Sequence, residues 1–257
     1  MLSVIMPSWR EGPRLLEAIR AVRIAVDAAQ IVVVACEERG PVREAACAEG
    51  VVWIEAPRPC RGLQLALGGE RAAGDALAFL HADTRLPFGA GKLIECALAK
   101  PGVAGGAFRL RFDLAHPVLD LLARLSALSI IPSFLGDQCI FCSRAAYRAA
   151  GGVRAVHLSE DVDFARRLAR IGRLVRLPQE VTTSSRRFKR RGPLRQLLGN
   201  AALLLAYHAG VGTERLHAIY ERGHLTERYE NALPLFVRPR HHIAWRGRAR
   251  PRPRGRD

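Results

Sequence analysis

Three observations predict an α/β fold built as one domain on a mostly parallel sheet, with a helical C-terminal extension. Short apolar runs alternate with helix-spaced segments over the first ninety residues. The pattern changes after Pro87. No run reaches the length of a membrane span. The 257 residues allow one or two domains, and 49% hydrophobic with 25% charged residues is a globular composition with material for a sizeable core.

Residues 2–6 read as a buried strand. Pro13 suits a helix N-terminus, and Leu15, Ile19, Val22 and Val26 recur on one helical face. Residues 31–34, 51–54 and 76–80 are further strands, and 41–49 and 61–73 have helical spacing. Parallel neighbours need a crossover, so this alternation implies a helix-covered parallel sheet. Beyond Pro87, residues 88–99 are helical and 107–112 alternate like a strand with one wet face. Residues 117–129 are amphipathic, 138–143 a short strand, and 159–171 and 193–209 helices. The expected organisation is an α/β domain over 1–192, a helical extension over 193–237 and a basic, disordered tail over 238–257.

The net charge is +16, but only three of the forty basic residues are lysine, and +7 of the charge lies in the tail. Arg-for-Lys usage of this kind follows base composition as readily as function. The tail reads either as a solvated end or as an attachment to an anionic surface, membrane or nucleic acid. The start, Met1-Leu-Ser-Val-Ile-Met-Pro7, has no leader pattern, so reduced cysteines and a cytoplasmic setting are expected. Cys139-Ile-Phe-Cys142 has redox spacing but lies in a strand-like run with no second pair. Residues 114–135 are interrupted by Asp120 and Arg124, and 197–211 are too short to span a bilayer; each reads as a core helix or as an interfacial one, which leaves peripheral contact with the inner membrane face open.

In open parallel sheets ligands bind beyond the carboxyl ends of the strands. After the first strand come Pro7-Ser-Trp-Arg-Glu11; after the fourth, His81-Ala-Asp83-Thr84. Asp83 is either a hard oxygen ligand for Mg²⁺ or Mn²⁺ or a turn aspartate bound to its own backbone. Ser159-Glu-Asp161-Val-Asp163 is either a helix cap with acids suited to the dipole or the site of a general base. Residues 182–192, hydroxyls followed by Arg186, Arg187 and further cations, suit phosphate oxygens or form a solvated basic loop. Gly89-Ala-Gly-Lys92 is no P-loop, since Leu86 and Leu93 occupy the required Gly and Ser/Thr positions, and no dinucleotide fingerprint follows a strand.

Taken in order, Ser3-Val-Ile-Met-Pro-Ser8 with Glu11, Arg61-Gly-Leu-Gln64, Gly74-Asp75, Phe79-Leu-His-Ala-Asp-Thr-Arg-Leu-Pro87, Gly136-Asp-Gln138, Gly151-Gly152, Glu160-Asp161 and Thr183-Ser-Ser-Arg-Arg187 form a specific ordered set. On these residues, from 3 to about 190, the chain resembles family 2 glycosyltransferases of the GT-A, Rossmann-like nucleotide-diphospho-sugar transferase fold. Within that family it resembles the arsenosugar-biosynthesis-type transferases associated with radical-SAM and selenium-domain proteins. The resemblance implies transfer of a sugar from a nucleotide-sugar donor to a small-molecule or lipid-linked hydroxyl acceptor, with inversion and a divalent cation. It implies a nucleotide pocket of Pro7, Ser8, Glu11, Arg61 and Gln64, a metal position at Asp83 with His81 beside it, and Asp161, preceded by Glu160, as general base. Asp137 and Gln138 fall on the acceptor side, and Arg186 and Arg187 near the diphosphate.

Two positions depart from the family pattern: Ala35 stands where relatives carry a base-contacting aspartate, and Ala66 where they carry Asn. On them rests an alternative, a donor-impaired homologue that binds a ligand or partner. The charge supports a third reading, a nucleic-acid binder, but no recognised binding motif accompanies it.

Overall fold

The first run of the sequence is apolar on both faces, and in the computed structural model it is a central strand. The described residues are 1–38, 40–127 and 136–219. They lie in one compact unit, Met1–Tyr220; the second unit, Glu221–Asp257, which holds the expected tail and the end of the extension, is outside them.

β1 (Leu2–Trp9) leads through α1 (Pro13–Ala25) to β2 (Gln30–Cys36) and through α2 (Gly40–Ala48) to β3 (Val52–Glu55), all parallel. α3 (Arg61–Arg71) then carries the chain back across β1 to β4 (Ala76–Phe79), parallel on its other side. The two-residue β5 (Thr84–Arg85), α4 (Ala90–Leu98), β6 (Val103–Phe112) and α5 (Pro117–Ser126) follow. Next come a 3₁₀ turn (Gly136–Gln138), β7 (Ile140–Ser143), α6 (Arg144–Ala149), α7 (Glu160–Ile171), β8 (Arg173–Thr183), α8 (Arg186–Arg191) and α9 (Pro193–His208). The eight strands form one sheet in the order β3-β2-β1-β4-β7-β6-β8-β5. β7 is antiparallel to both its neighbours, β6 and β8 are parallel, and β5 closes the far edge antiparallel to β8.

Both faces are covered, which is why β1 and β2 read as continuous apolar runs. Val4, Met6, Ile31 and Val33 pack under Leu15, Ile19 and Val22 of α1 and Ile94 of α4. Ile5, Val32 and Val34 face Leu65 of α3, Tyr147 of α6 and Phe164 of α7. Each such side chain contributes roughly 1.5–3 kcal/mol on burial. Phe79 of β4 stacks on Tyr147 at 5.9 Å and meets Phe164 edge-on at 5.4 Å, which holds α7 under the end of β4. Gly62 fixes α3: a Cβ there would stand 2.4 Å from the Val156 carbonyl oxygen, so only glycine lets α3 lie against the segment leading into α7.

Several expectations need correction. β8 is an eleven-residue strand that the sequence pattern does not announce, because Pro178 and three charged side chains, Arg173, Arg176 and Glu180, interrupt it. Pro178, which has no N–H to offer, lies in a bulge: Phe108 pairs with Leu177 but Arg109 with Glu180. Residues 182–192 are not a loop; they are the end of β8 and all of α8. The strand expected at 138–143 begins at Ile140, after the 3₁₀ turn. α9 is no core helix, since Gln196 is its one buried residue. Within the apolar segment over 114–135, α5 buries Leu119 and Ser126, and residues 128–135 lie outside the described ones.

Candidate active site

β4 pairs with β1 only as far as Ile5–Phe79, and the last bond of the ladder runs from the Leu80 N–H to the Ile5 carbonyl. Beyond it β1 continues through Pro7 to Trp9 along β2 alone, so a crevice opens between the Pro7–Glu11 segment and the His81–Asp83 loop. Pro7 is tolerated in a central strand for that reason: past Ile5–Phe79 no β4 carbonyl needs the N–H that proline lacks. This is the switch point of the sheet, with β2 and β4 reached by crossovers in opposite directions.

On one side of the crevice stands the start of α7. Asp161 is half-buried; its Oδ2 accepts the Gly136 N–H at 2.7 Å and its Oδ1 the Val162 N–H at 2.8 Å. His81 joins it, for a Cβ on Gly136 would meet His81 Nε2 at 2.9 Å and Asp161 Oδ2 at 3.3 Å. Phe79 and Phe164 line a small cavity together with His81, Gly136, Glu160 and Asp161. Glu160 is fully buried and ion-paired with Arg61 across from α3, while its Oε2 has no hydrogen-bond partner among the described residues. Burial pushes the Glu160 carboxyl up, against the pull of Arg61 and with the push of Asp161. Asp163 is engaged elsewhere, by Arg154 at 3.2 Å and Arg167 at 2.8 Å. Ser159 does not cap α7 with its side chain; it sits at φ 61°, in the left-handed region.

The other side is polar and mixed in charge. An Arg186 Nη lies 3.8 Å from Glu11 and 3.9 Å from Asp83. Burial raises the Glu11 carboxyl, Arg186 lowers it, and the net direction is upward. β5 and β8 assemble this cluster: Thr84 and Thr183 share a 3.0 Å hydroxyl contact, and the Ser184 N–H donates to the Asp83 carbonyl at 3.2 Å. Asp113, just past β6, accepts the Ser185 N–H at 2.8 Å and its hydroxyl at 2.5 Å, fixing the start of α8. Ser185 belongs to the Thr183–Arg187 motif, but Asp113 carries no motif in the sequence that would single it out. The side chain of Arg187 is outside the described ones.

Three expected ligand-facing residues are used internally. The Ser8 hydroxyl donates to Glu38 at 2.6 Å, and the same carboxylate takes the Glu11 N–H at 2.7 Å and the Gly12 N–H at 3.1 Å. Gln64 is buried and gives its Nε2 to the Ser8 and Val34 carbonyls at 2.7 and 2.8 Å, so it struts β1 against β2 and does not face the crevice. Gln138 is buried too; its Oε1 accepts Arg176 at 2.5 Å. Arg176 also reaches the Phe108 carbonyl, and burial pulls it down to about 10 against the field of Asp137, which leaves it cationic at neutral pH. Arg176 thereby holds the Gly136–Gln138 turn whose first N–H meets Asp161. Sequence reasoning missed this residue because only the bulged pairing of β8 with β6 brings it there. Ala35 is fully buried in the core between β1 and β3. Glu37 pairs with Arg10 at 2.6 Å.

A Rossmann-like sheet with a split ladder at its switch point and an acidic loop at the opening is the GT-A fold of glycosyltransferases. The chain is similar to a mannosyltransferase from Pyrobaculum calidifontis solved with GDP-Man and Mn²⁺, at 18% identity over 89% of this chain and 81% of that one, with a TM-score of 0.58. It is similar also to glucosyl-3-phosphoglycerate synthase from Mycobacterium tuberculosis solved with Mg²⁺ and UDP, at 16% identity, 82% and 80% coverage and a TM-score of 0.53. With S. aureus TarS it shares 12% identity over 71% of this chain and 36% of that one, at a TM-score of 0.56. No protein-family model matches the chain, and no curated protein matches it in sequence.

Proposed function

We propose that the chain is an inverting glycosyltransferase, of family 2 and of the arsenosugar-biosynthesis-type subgroup it resembles, that moves a sugar from a nucleotide-sugar donor to a hydroxyl acceptor. One observation carries the reading. The Asp161 carboxylate is oriented by two backbone N–H groups at a crevice whose bordering loop also bears Asp83, beside Glu11 and Arg186. In a single in-line displacement the acceptor oxygen bonds to the anomeric carbon as the nucleoside diphosphate departs, and Asp161 takes the acceptor proton. Arg186 offers two parallel donors for diphosphate oxygens. Similar solved structures hold GDP-Man with Mn²⁺ and UDP with Mg²⁺, which supports this substrate class.

Mg²⁺ or Mn²⁺ belongs to the proposal, and the residues fit a cation shared with the donor. Asp83 supplies one hard oxygen at a partly exposed position. Among the described residues no three His, Cys, Asp or Glu side chains converge, so donor phosphates would complete the coordination, as is common for Mg²⁺. When bound, the cation neutralises the leaving diphosphate. His81 and Asp161 both border Gly136, which suits His81 to the acceptor side at least as well as to the metal. The free cysteines favour a reducing, cytoplasmic setting.

The test is transfer from a panel of UDP- and GDP-sugars. Asp161→Asn should lower turnover by roughly 10²–10⁴-fold with an unchanged melting temperature. Turnover indifferent to metal, or wild-type turnover in Asp161→Asn, would sink these assignments. A second reading, a donor-impaired homologue, is favoured by Ala35 lying in the core and by Glu37 and Glu38 being held by Arg10 and the β1–α1 loop. A metal-dependent thermal shift with any one nucleotide sugar decides against it.

A further inference from the structure

α9 is a sixteen-residue helix whose one buried residue is polar, Gln196. Three of its six leucines point outward: Leu194, Leu198 and Leu205 are 61%, 62% and 71% exposed, and their spacing puts them in one stripe, with the exposed Ala201 between. α5, which packs against α9, adds exposed Leu121 and Leu125. A run of outward leucines on two adjoining helices is more apolar surface than scattered exposure explains.

Along α8 and α9 the charge is of one sign, and α5 adds the exposed Asp120 and Arg124, which offset each other. Residues 181–213 contain six Lys and Arg and no Asp or Glu. Lys189 and Arg190 of α8 and Arg195 of α9 are exposed. α8 cannot swing away freely, because Phe188 is buried edge-on against Phe112 at 5.3 Å and Asp113 holds Ser185. The cations are therefore presented next to the leucines.

We propose that the α5–α9 face, with α8 beside it, docks on a bilayer surface containing anionic lipid. A bilayer offers both halves of what this face needs: an acyl boundary for the leucine stripe and negative headgroups for Lys189, Arg190 and Arg195. A second copy of the chain is a poorer occupant, since a two-fold contact would set these cations against themselves. Nucleic acid would use the cations and leave the leucines wet. No described helix is long and apolar enough to cross a membrane, so the contact is interfacial. α8 begins at Arg186, within the crevice cluster, so one short helix separates the docking face from the site. Resting on the glycosyl-transfer reading, this favours a lipid-linked acceptor.

The experiment is co-sedimentation of the full chain with vesicles of phosphatidylcholine alone and of phosphatidylcholine with phosphatidylglycerol, at low and high salt. The wild type should bind the mixed vesicles, less at high salt. Leu198→Glu/Leu205→Glu should cut partitioning by roughly tenfold or more at an unchanged melting temperature, since both side chains are exposed. Lys189→Glu/Arg190→Glu is the second variant and should lose the preference for anionic vesicles. The proposal is overturned if the wild type does not bind. Equal binding by the leucine variant also overturns it, because adsorption then belongs to the Arg-rich tail. So does a wild-type dimer that the leucine variant splits. Vesicle binding needs no donor, so transfer to a water-soluble acceptor tests the catalytic reading separately.

Discussion

Glu160 has no access to water, and Arg61 is the cation that makes its burial tolerable. Removing one partner of such a pair strands the other, so Arg61→Ala should cost roughly 3–5 kcal/mol in denaturant unfolding. Glu160→Gln, which leaves a neutral amide and an Arg61 that is partly exposed, should cost less. The pH dependence has a definite sign. The Glu160 carboxyl is raised by burial, more than Arg61 lowers it, so the fold holds this proton more tightly than the unfolded chain does. Its contribution to stability is full below the ordinary glutamate range and is lost as pH rises through the raised value. Acid should therefore rescue part of the Arg61→Ala loss, measured as the difference in melting temperature from wild type across pH.

At the scale of elements, the site depends on two short joints. The Gly136–Gln138 turn brings a backbone N–H to Asp161 with no room for a side chain. In Gly136→Ala the new carbon meets His81 Nε2 at 2.9 Å and the carboxylate at 3.3 Å. Misplacement of that order should lower turnover by roughly a hundredfold while the fold survives. The second joint is Asp113 to Ser185. Burial works to raise the Asp113 carboxyl, the Ser185 hydrogen bonds outweigh it, and the net direction is downward. A depressed carboxyl contributes stability above its unfolded value that is lost as pH falls through the folded one. If Arg186, at the start of α8, holds the diphosphate as proposed, nucleotide affinity should fall in Asp113→Asn when measured by titration calorimetry at neutral pH.

For the molecule as a whole, the cysteines report packing. Cys47 and Cys96 are exposed and Cys36, Cys60, Cys139 and Cys142 are buried, all six as free thiols. Burial lifts the Cys139 thiol to about 12, and Cys142, on β7, higher still. The C-x-x-C spacing is thus that of a core strand and its approach, with no reactive thiolate. Thiol titration should count two fast groups in the native protein and six after denaturation. A fast third thiol would mean that the sheet opens near β7 or β2, or that the start of α3 lifts off Cys60.

Periodicity alone was enough for the elements that bury themselves by local pattern. The continuous runs of β1 and β2, the leucine and isoleucine spacing of α1 and the Pro at its start each state their environment, because a strand covered on both faces must be apolar at every position. Motif order likewise brought Asp83, Asp161 and Arg186 into view as candidates. What the sequence could not state is anything whose partner is distant along the chain. β8 carries charges and a proline, and is a strand only because β6 and β5 supply its hydrogen bonds. Gln64 and Gln138 look like ligand residues until the carbonyls and the guanidinium that occupy them are known. The alternation of apolar runs with helix-spaced segments determined that this chain folds as α/β; the three-dimensional pairing decided which polar side chains face the crevice, since a hydrogen bond is satisfied by proximity in space and leaves no period in the sequence.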